Sequence, residues 1–226
     1  MMISSPCLIS MADLPLTGDD MEVLFDPRLS KAVRDSDVRA VEAFLTEHPE
    51  YIRAFAPFAG GTWLHYAAGA GDVDVVACMI RMGCDVNSGA KDDGRLALKD
   101  AAYEGKSDNV RYLLEHGSNL DVSSSTRNPL FGAIVGKSLS VVQLLLERGI
   151  DASVRYNSET MQDMDATAFA LMRGEAEIAR AIAHHNAGGD AAKADKLLAE
   201  AQAVASRHGP MKQVRIVPDL EDLERE

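Results

Sequence analysis

The sequence predicts an all-α fold in which about five helix-turn-helix units stack into a solenoid with a capping helix at the C-terminal end. Two observations predict this fold class. First, one pattern recurs every 32 to 35 residues: a helix of small residues, an apolar helix and a glycine. Second, the apolar helix of each unit has the 3.6-residue spacing of an amphipathic helix. Because neither helix of a unit can bury its apolar face alone, successive units are expected to stack.

The first two units, counted from residue 29, establish the pattern. The first unit carries Ala32 and Val33 in its first helix and an apolar second helix that ends near Leu45. The second unit is the clearest, and its second helix is followed by Gly83. Glycine adopts the left-handed conformation without steric cost, so Gly83 is expected to end that helix, as Gly117 does in the third unit.

The third and fourth units repeat the pattern with two departures. Gly149 is expected to end the second helix of the fourth unit. Lys137, however, stands where the second and third units have Gly71 and Gly105, so we expect the turn to shift onto Gly136. The loop after the fourth unit, residues 153–165, is also longer than its counterparts and is predicted to form an extended finger loop.

The two ends of the chain differ from the repeats. Residues 1–28 form an N-terminal extension that is either partly disordered or packed on the first repeat. Residues 29–189 hold the repeats, of which the last is a degenerate terminal unit. Residues 190–209 are predicted to form the capping helix, with Asp190 as its N-cap and Gly209–Pro210 as its stop. Residues 210–226 form an acidic tail, because five of the last eight residues are acidic.

The segment Thr62–Trp63–Leu64–His65 resembles the ankyrin repeat family, whose signature at this place is Thr-Pro-Leu-His; Trp63 replaces the proline. The resemblance covers residues 29–185 and implies an ankyrin-like repeat solenoid with finger loops between the units. It also implies that the threonine and histidine of the motif link neighbouring turns by hydrogen bonds. The residues to which a structural role is assigned are Thr62, Leu64, His65, Gly71, Gly83, Gly105, Gly117 and Gly149.

Composition restricts the class of partner. The 226 residues carry a net charge of −12, and such a surface repels phosphate backbones and anionic lipid heads. We therefore expect no nucleic-acid partner and no membrane partner, and we expect a basic protein instead. No apolar run reaches the roughly 18 residues of a membrane span. The absence of basic residues before Arg28 argues against a secretory signal, and three cysteines fit reduced thiols, so a cytoplasmic location is expected.

No catalytic constellation is recognisable in the chain, and the prediction is therefore a protein that is not an enzyme and needs no cofactor and no metal. His65 is the most tempting catalytic candidate, yet the motif assigns it a buried, hydrogen-bonded role. Cys78 and Cys84 lack the spacing of a zinc knuckle and are expected to be packed thiols. Asp163 and Asp165 are expected to be solvated loop residues.

The predicted binding site is the concave surface formed by the first helices and the finger loops. Tryptophan, tyrosine and arginine dominate the energy of protein interfaces. By resemblance, several such side chains and their neighbours point into the groove. The candidate partner-binding residues are Phe58, Trp63, Tyr66, Arg95, Asp100, Tyr103, Glu104, Phe131, Arg155 and Tyr156. Phe131 fits the core equally well, because it occupies the position of His65.

The leading functional hypothesis is a binding protein, monomeric on its own, that holds one specific basic protein and blocks it. The resembling family includes small acidic bacterial immunity factors and antitoxins that neutralise a toxin or effector in this way. A signalling or scaffolding adaptor with several partners is the first alternative. The second alternative, from another class, is a small-molecule sensor or enzyme that uses the loop 155–165.

Overall fold

A computed structural model of the chain describes residues 21–58, 60–159 and 161–208. These residues form eleven α-helices, one short 3₁₀ helix at Pro49–Ile52 and, in place of strands, only isolated β-bridges. The predicted all-α repeat solenoid is confirmed. The predicted acidic tail, the helix stop at Gly209–Pro210, Cys7 and residues 1–20 of the extension lie outside the described residues. The α-helices are α1 Pro27–Arg34, α2 Val38–Glu47, α3 Trp63–Ala70, α4 Val73–Arg81, α5 Ala97–Tyr103, α6 Ser107–Glu115, α7 Pro129–Val135, α8 Leu139–Glu147, α9 Ala166–Met172, α10 Ala176–Asn186 and α11 Ala191–His208.

The helices form two layers. The first helices of the units (α1, α3, α5, α7 and α9) pack side by side and are called the inner layer, and α2, α4, α6, α8 and α10 form the outer layer. The core lies between the layers, where Leu64, Leu98 and Leu130 of the inner layer meet Met79 and Leu145 of the outer layer in one continuous cluster. Each unit therefore buries its apolar face against its own partner helix and the adjacent units.

Small residues let the inner helices approach closely. A Cβ atom added to Gly132 in α7 would lie 3.0 Å from the carbonyl oxygen of Lys99, and one added to Gly136 would overlap the carbonyl oxygen of Tyr103. Ala101 and Ala102 on the same helix as Tyr103 are fully buried. The backbones of α5 and α7 are therefore in close contact within the inner layer.

Most turns between helices use the left-handed conformation, and two of them do so at a residue other than glycine: Ser36 (φ +54°) between α1 and α2, and Lys137 between α7 and α8. The turn between α3 and α4 differs, because Gly71 there is extended, with φ −82° and ψ 179°. Gly83, Gly117 and Gly149 follow the outer helices with φ of +103°, +88° and +81°. The turn between α7 and α8 was expected at Gly136, and this expectation is wrong. Lys137 itself has φ +56°, while Gly136 keeps a helical φ of −71° and donates a hydrogen bond to the Gly132 carbonyl.

The reason for this difference is the packing of Gly136. Its backbone lies against Tyr103 of α5 and so must remain helical, which leaves the left-handed step to the following residue. Two hydrogen bonds close the turn, from the Lys137 and Ser138 amides to the carbonyls of Ile134 and Ala133. The Lys137 ammonium then pairs with Glu175 of the next unit at 3.2 Å.

The signature histidine links two units. The His65 Nδ1 atom accepts the Thr62 backbone N–H at 3.1 Å and lies 2.9 Å from the Thr62 hydroxyl. Because Nδ1 accepts, Nε2 carries the proton, and it donates to the Arg95 carbonyl in the next finger loop at 2.9 Å. Burial lowers the pKa of His65, which keeps the ring neutral. This ring thus holds the start of α5 in register with α3.

Both ends of the stack are covered by segments outside the repeats. At one end, Leu24 donates to the Phe55 carbonyl at 3.0 Å, and the Phe55 amide donates to Glu22 at 2.9 Å. The segment 22–24 therefore pairs with the first finger loop. At the other end, α11 packs on α9 and α10 through a face that includes Ala201 and Val204. Asp190 accepts the Lys193 amide at 3.1 Å at the start of α11.

Candidate functional site

The groove is defined here as the inner face of α3 and α5 together with the finger loops 53–62, 82–96, 116–128 and 148–165. An arginine with two carboxylates fixes its centre. Arg95 pairs with Asp100 of α5 at 2.9 Å and with Asp93 of its own finger loop at 3.3 Å. Burial alone would lower the pKa of Arg95, but the two carboxylates outweigh burial and raise it. The guanidinium is therefore held charged and in one place.

Lys99 extends this arrangement to the third finger loop. Its ammonium donates to the Thr126 carbonyl and, at 3.4 Å, to that of Ser125. Burial lowers the pKa of Lys99 to about 8. The sequence did not point to Lys99, because no motif marks a lysine that binds backbone carbonyls of the next unit.

Tyr103 and Glu104 follow at the C-terminal end of α5. Tyr103 is half-buried and Glu104 is exposed. Partial burial raises the pKa of Glu104; Lys106 opposes this effect and Asp100 adds to it. Among the described residues, no cation lies within salt-bridge distance of the Glu104 carboxylate.

Aromatic rings border α3 on the side of the first finger loop. The rings of Phe58 and Tyr66 lie 5.0 Å apart, and the Tyr66 hydroxyl lies 3.2 Å from the Ser30 hydroxyl of α1. Phe25, from the N-terminal segment, meets Phe58 edge-on at 5.8 Å. Sequence reasoning missed Phe25, because it precedes the repeats and no periodic pattern includes it.

Three of the predicted groove residues are core residues, and their assignment to the partner surface is corrected. Trp63 is 0% exposed, because segment 22–24 covers it and its Nε1–H donates to the Leu24 carbonyl at 3.2 Å. Phe131 is 4% exposed and stacks on Phe169 at 4.6 Å, which fits the core alternative left open by the sequence.

Tyr156 is the third correction. It is 9% exposed, and its hydroxyl donates to the Val122 carbonyl at 2.8 Å and accepts from the Asn128 amide at 3.0 Å. This ring thus joins the third and fourth finger loops from inside. A buried side chain whose hydrogen bonds are satisfied within the chain does not contact a partner in this conformation.

Arg155 is exposed but lies on the fourth finger loop, apart from the α3–α5 cluster. It pairs with Asp163 at 2.8 Å and with Asp165 at 3.5 Å, and the bond to Asp163 is the main cause that raises the pKa of Arg155. A cavity of about 290 Å³ lies beside it, bordered also by Thr167 and by Arg207 of α11. The predicted solvated pair Asp163–Asp165 is thus engaged by an arginine.

The described residues offer no group of three His, Cys, Asp or Glu side chains that could hold a metal ion. Cys78 and Cys84 are free and buried, and burial raises the pKa of the Cys84 thiol to about 12, which makes it a poor nucleophile. The structure brings six of the ten predicted site residues together around α3 and α5. These six residues are Phe58, Tyr66, Arg95, Asp100, Tyr103 and Glu104.

Comparison with known proteins agrees with this architecture. A family model described as "Ankyrin repeats (3 copies)" matches residues 29–124 and 64–156. The chain is 36% identical over 105 residues to human BCL-6 corepressor-like protein 1, a match that covers 45% of this chain and 6% of that protein. It is 34% identical over 107 residues to mouse Rabankyrin-5, which covers 42% of this chain and 9% of that protein. The chain thus spans less than a tenth of either relative. In the three described ranges, no helix is long and apolar enough to cross a membrane.

Proposed function

The chain belongs to the ankyrin-repeat family, whose repeats mediate protein–protein interaction, and from this premise we propose that it holds one protein partner in the groove and blocks that partner's own site. The observation that carries the proposal is the fixed cluster formed by α5 and the finger loop before it. Arg95, Asp100 and Lys99 are already positioned by ion pairs and backbone carbonyls. A side chain that is ordered before binding loses little conformational entropy when the partner arrives, so such a cluster favours tight binding.

Charge favours a basic partner. Residues 29–189 contain 22 acidic and 16 basic side chains, so half of the net charge of −12 belongs to the repeats themselves. Glu104 adds an exposed carboxylate without a described counter-ion at the edge of the groove. A basic partner is attracted by such a surface, and its association rate falls as salt screens the field.

Affinity capture tests this proposal. The full chain is immobilised, and native lysate is applied at low and at moderate salt, followed by mass spectrometry. The variants Tyr103→Ala and Glu104→Gln change the groove, and Glu177→Gln, an exposed glutamate on α10, serves as the matched control. We expect the wild-type chain to capture one basic protein. Both groove variants should retain less of this protein, and the control should retain as much as the wild type does. Retention of no protein at either salt concentration contradicts the proposal.

The biological role divides into two cases with different genetic outcomes. An immunity or antitoxin role requires a partner that is toxic, so deletion of this gene alone kills the cell, and deletion together with the partner gene does not. An adaptor role leaves the deletion strain viable and gives several partners in the capture experiment. We place the blocking role first because the preformed cluster of α5 and the finger loop before it suits one specific partner.

A second candidate function is small-molecule binding, and the cavity of about 290 Å³ beside Arg155 favours it. The cavity is lined by two arginines, Arg155 and Arg207, and by the carboxylates of Asp163, Asp165 and Glu200, a mixture of charges that would suit a zwitterionic metabolite. Thermal shift measurements with a panel of amino acids and other zwitterionic metabolites test this candidate, with Arg207→Gln as the variant that should abolish any shift. If no compound raises the melting temperature, the cavity does not bind a metabolite of this kind.

A further inference from the structure

One apolar surface, the aromatic pad, is formed by Val23, Phe25, Phe58 and Tyr66. Phe58 is its centre, with ring centroids 5.8 Å from Phe25 and 5.0 Å from Tyr66. Val23 and Phe25 are two residues apart in an extended segment, so their side chains point to the same side. The pad thus combines residues of the N-terminal segment, the first finger loop and α3.

The pad is exposed although the surrounding fold is well packed. Val23 is 49% and Phe25 is 54% exposed, and they are the two large hydrophobic residues that stand out as exposed among the described residues. Single exposed apolar residues are common, but these two are contiguous with two half-buried aromatic rings. Contiguous apolar surface of this kind marks an interaction site.

The pad is held rigidly in place. Two backbone hydrogen bonds between segment 22–24 and Phe55, at 2.9 and 3.0 Å, fix the segment to the first finger loop. The buried Trp63 indole donates to Leu24 from below. Phe25 is therefore positioned before any partner arrives, which is the condition under which an aromatic side chain contributes most to binding.

A carboxylate lies next to the pad. Tyr66 and Gly69 are three residues apart in α3 and so share one face of that helix. A Cβ atom added to Gly69 would lie 3.4 Å from Cγ of Glu104. Glu104 therefore packs against α3 about one helical turn after Tyr66.

The cations around Glu104 are engaged elsewhere. Arg95 is bound by Asp93 and Asp100. Lys99 donates to carbonyl oxygens of the third finger loop. Lys106 acts on Glu104 through space without forming an ion pair. In the part of the chain that the structure describes, no cation pairs with the Glu104 carboxylate, which lies along α3 from the pad.

We propose that the aromatic pad and Glu104 recognise a partner segment that presents one bulky apolar side chain with a lysine or arginine about one helical turn from it. The apolar side chain packs on Phe25 and Phe58, and the cation pairs with Glu104. This inference rests on the proposed protein-binding function and specifies the chemistry of the partner at one end of the groove. The cation also gains from the neighbouring Tyr66 ring, since aromatic faces attract positive charge.

Peptide selection on the full chain tests the inference. A phage-displayed library of random peptides is selected on the wild-type chain, and enriched clones are measured by titration against Phe25→Ala, Glu104→Gln and the control Glu177→Gln. Enriched clones are expected to carry Trp, Phe or Leu with Lys or Arg within four positions. Phe25→Ala should weaken them at least about tenfold. Glu104→Gln should weaken them about threefold to tenfold, and less so at high salt. Circular dichroism and thermal melting confirm that each variant folds.

A charge reversal sharpens the test. Selection on Glu104→Lys should lose the enrichment for Lys and Arg and keep the bulky apolar residue. If the enriched clones bind equally well to wild type and to Phe25→Ala, the inference is wrong. If those same clones bind Tyr103→Ala more weakly, the groove still binds peptides, and the proposed function stands although the inference does not. Failure to enrich any clone overturns the inference as well, while lysate capture reports separately on the proposed function. Analytical ultracentrifugation tests a further alternative. If the wild-type chain forms a dimer that Phe25→Ala abolishes, the pad binds a second copy of the chain, and the inference is wrong.

Discussion

His65 is neutral in the fold because both ring nitrogens are used and the ring is buried. Its folded pKa is lowered, so the unfolded chain takes up a proton at a pH where the folded chain does not. The resulting stabilisation is complete above about pH 6.5 and is lost as the pH falls through the window between 6.5 and the lower folded pKa. The expected loss is up to about 1.4 kcal/mol per pH unit in that window.

Urea unfolding between pH 7.5 and pH 5 measures this effect. His65→Gln should be less stable at neutral pH but should lose less of its free energy of unfolding as the pH falls. His184→Gln changes an exposed histidine and is the control, with a pH dependence like that of the wild type. A pH dependence of His65→Gln equal to that of the wild type would contradict the role assigned to the ring.

Substitutions at two glycines separate the effect of steric overlap from the effect of an unfavourable backbone conformation. Gly136 has an ordinary helical φ, but an added methyl group would overlap the Tyr103 carbonyl. Gly117 has open space around it but φ of +88°. Gly136→Ala is expected to lower the free energy of unfolding by about 3 kcal/mol because α5 and α7 must separate. Gly117→Ala should lower it by about 1 kcal/mol through backbone strain alone. Chemical denaturation of both variants checks this order, and the reverse order would refute the close packing of α5 and α7.

At the scale of single elements, α5 depends on its contacts with the next finger loop. Lys99 is the clearest case, since burial lowers its pKa from 10.5 to about 8. Because the folded chain releases this proton at lower pH than the unfolded chain, the free energy of unfolding should rise as the pH increases from about 8 towards 10.5. Denaturation at pH 7.5 and 9.5 measures the rise. Lys99→Met should remove it, and the exposed Lys193→Met should preserve it. An unchanged rise in Lys99→Met would show that Lys99 does not cause it.

The elements themselves were largely predictable, and the exceptions have physical causes. Periodicity predicted the paired helices, and the glycines after the outer helices have the left-handed φ that ends a helix. The turn at Lys137 was mispredicted, since only the approach of Tyr103 to Gly136 decides it. Asn109 was missed as well. Its buried amide donates to the Ala68 and Gly71 carbonyls at 2.9 and 3.2 Å and so caps α3 from the neighbouring unit.

The candidate site was harder to predict than the fold for the same reason. A position that faces the groove in most repeats is buried wherever another segment covers it. Segment 22–24 covers Trp63, and Tyr156 and Phe169 enclose Phe131. These contacts join parts of the chain that no repeat period relates. Repeat position therefore predicts which layer a side chain belongs to, but not whether solvent reaches it.

For the whole molecule, stability should be distributed along the stack, because each unit contacts mainly its neighbours. Helix α11 closes the C-terminal end by burying Ala194, Ala201, Val204 and Ala205. A chain that ends at residue 189 should lose about 3 kcal/mol or more, because the covered faces of α9 and α10 become exposed. A chain that ends at residue 208 keeps every described helix and is the matched control.

Hydrogen exchange locates the loss. In the chain that ends at residue 189, amides of α9 and α10 should exchange much faster, while those of α3 and α5 should change little. Uniform acceleration across all helices would instead show that the stack unfolds as one cooperative unit, and that α11 stabilises it globally.

The position of Trp63 makes its intrinsic fluorescence sensitive to what happens at the segment above it. It is the single tryptophan of the chain, and its ring lies 6.3 Å from Phe58 and 5.8 Å from Tyr66, below the segment that carries Phe25. Release of that segment would admit water to the indole and shift its fluorescence emission to longer wavelength. A ligand that settles on Phe25 would hold the segment down and leave the emission blue-shifted during mild denaturation. Occupancy of this end of the groove can thus be followed in unlabelled protein.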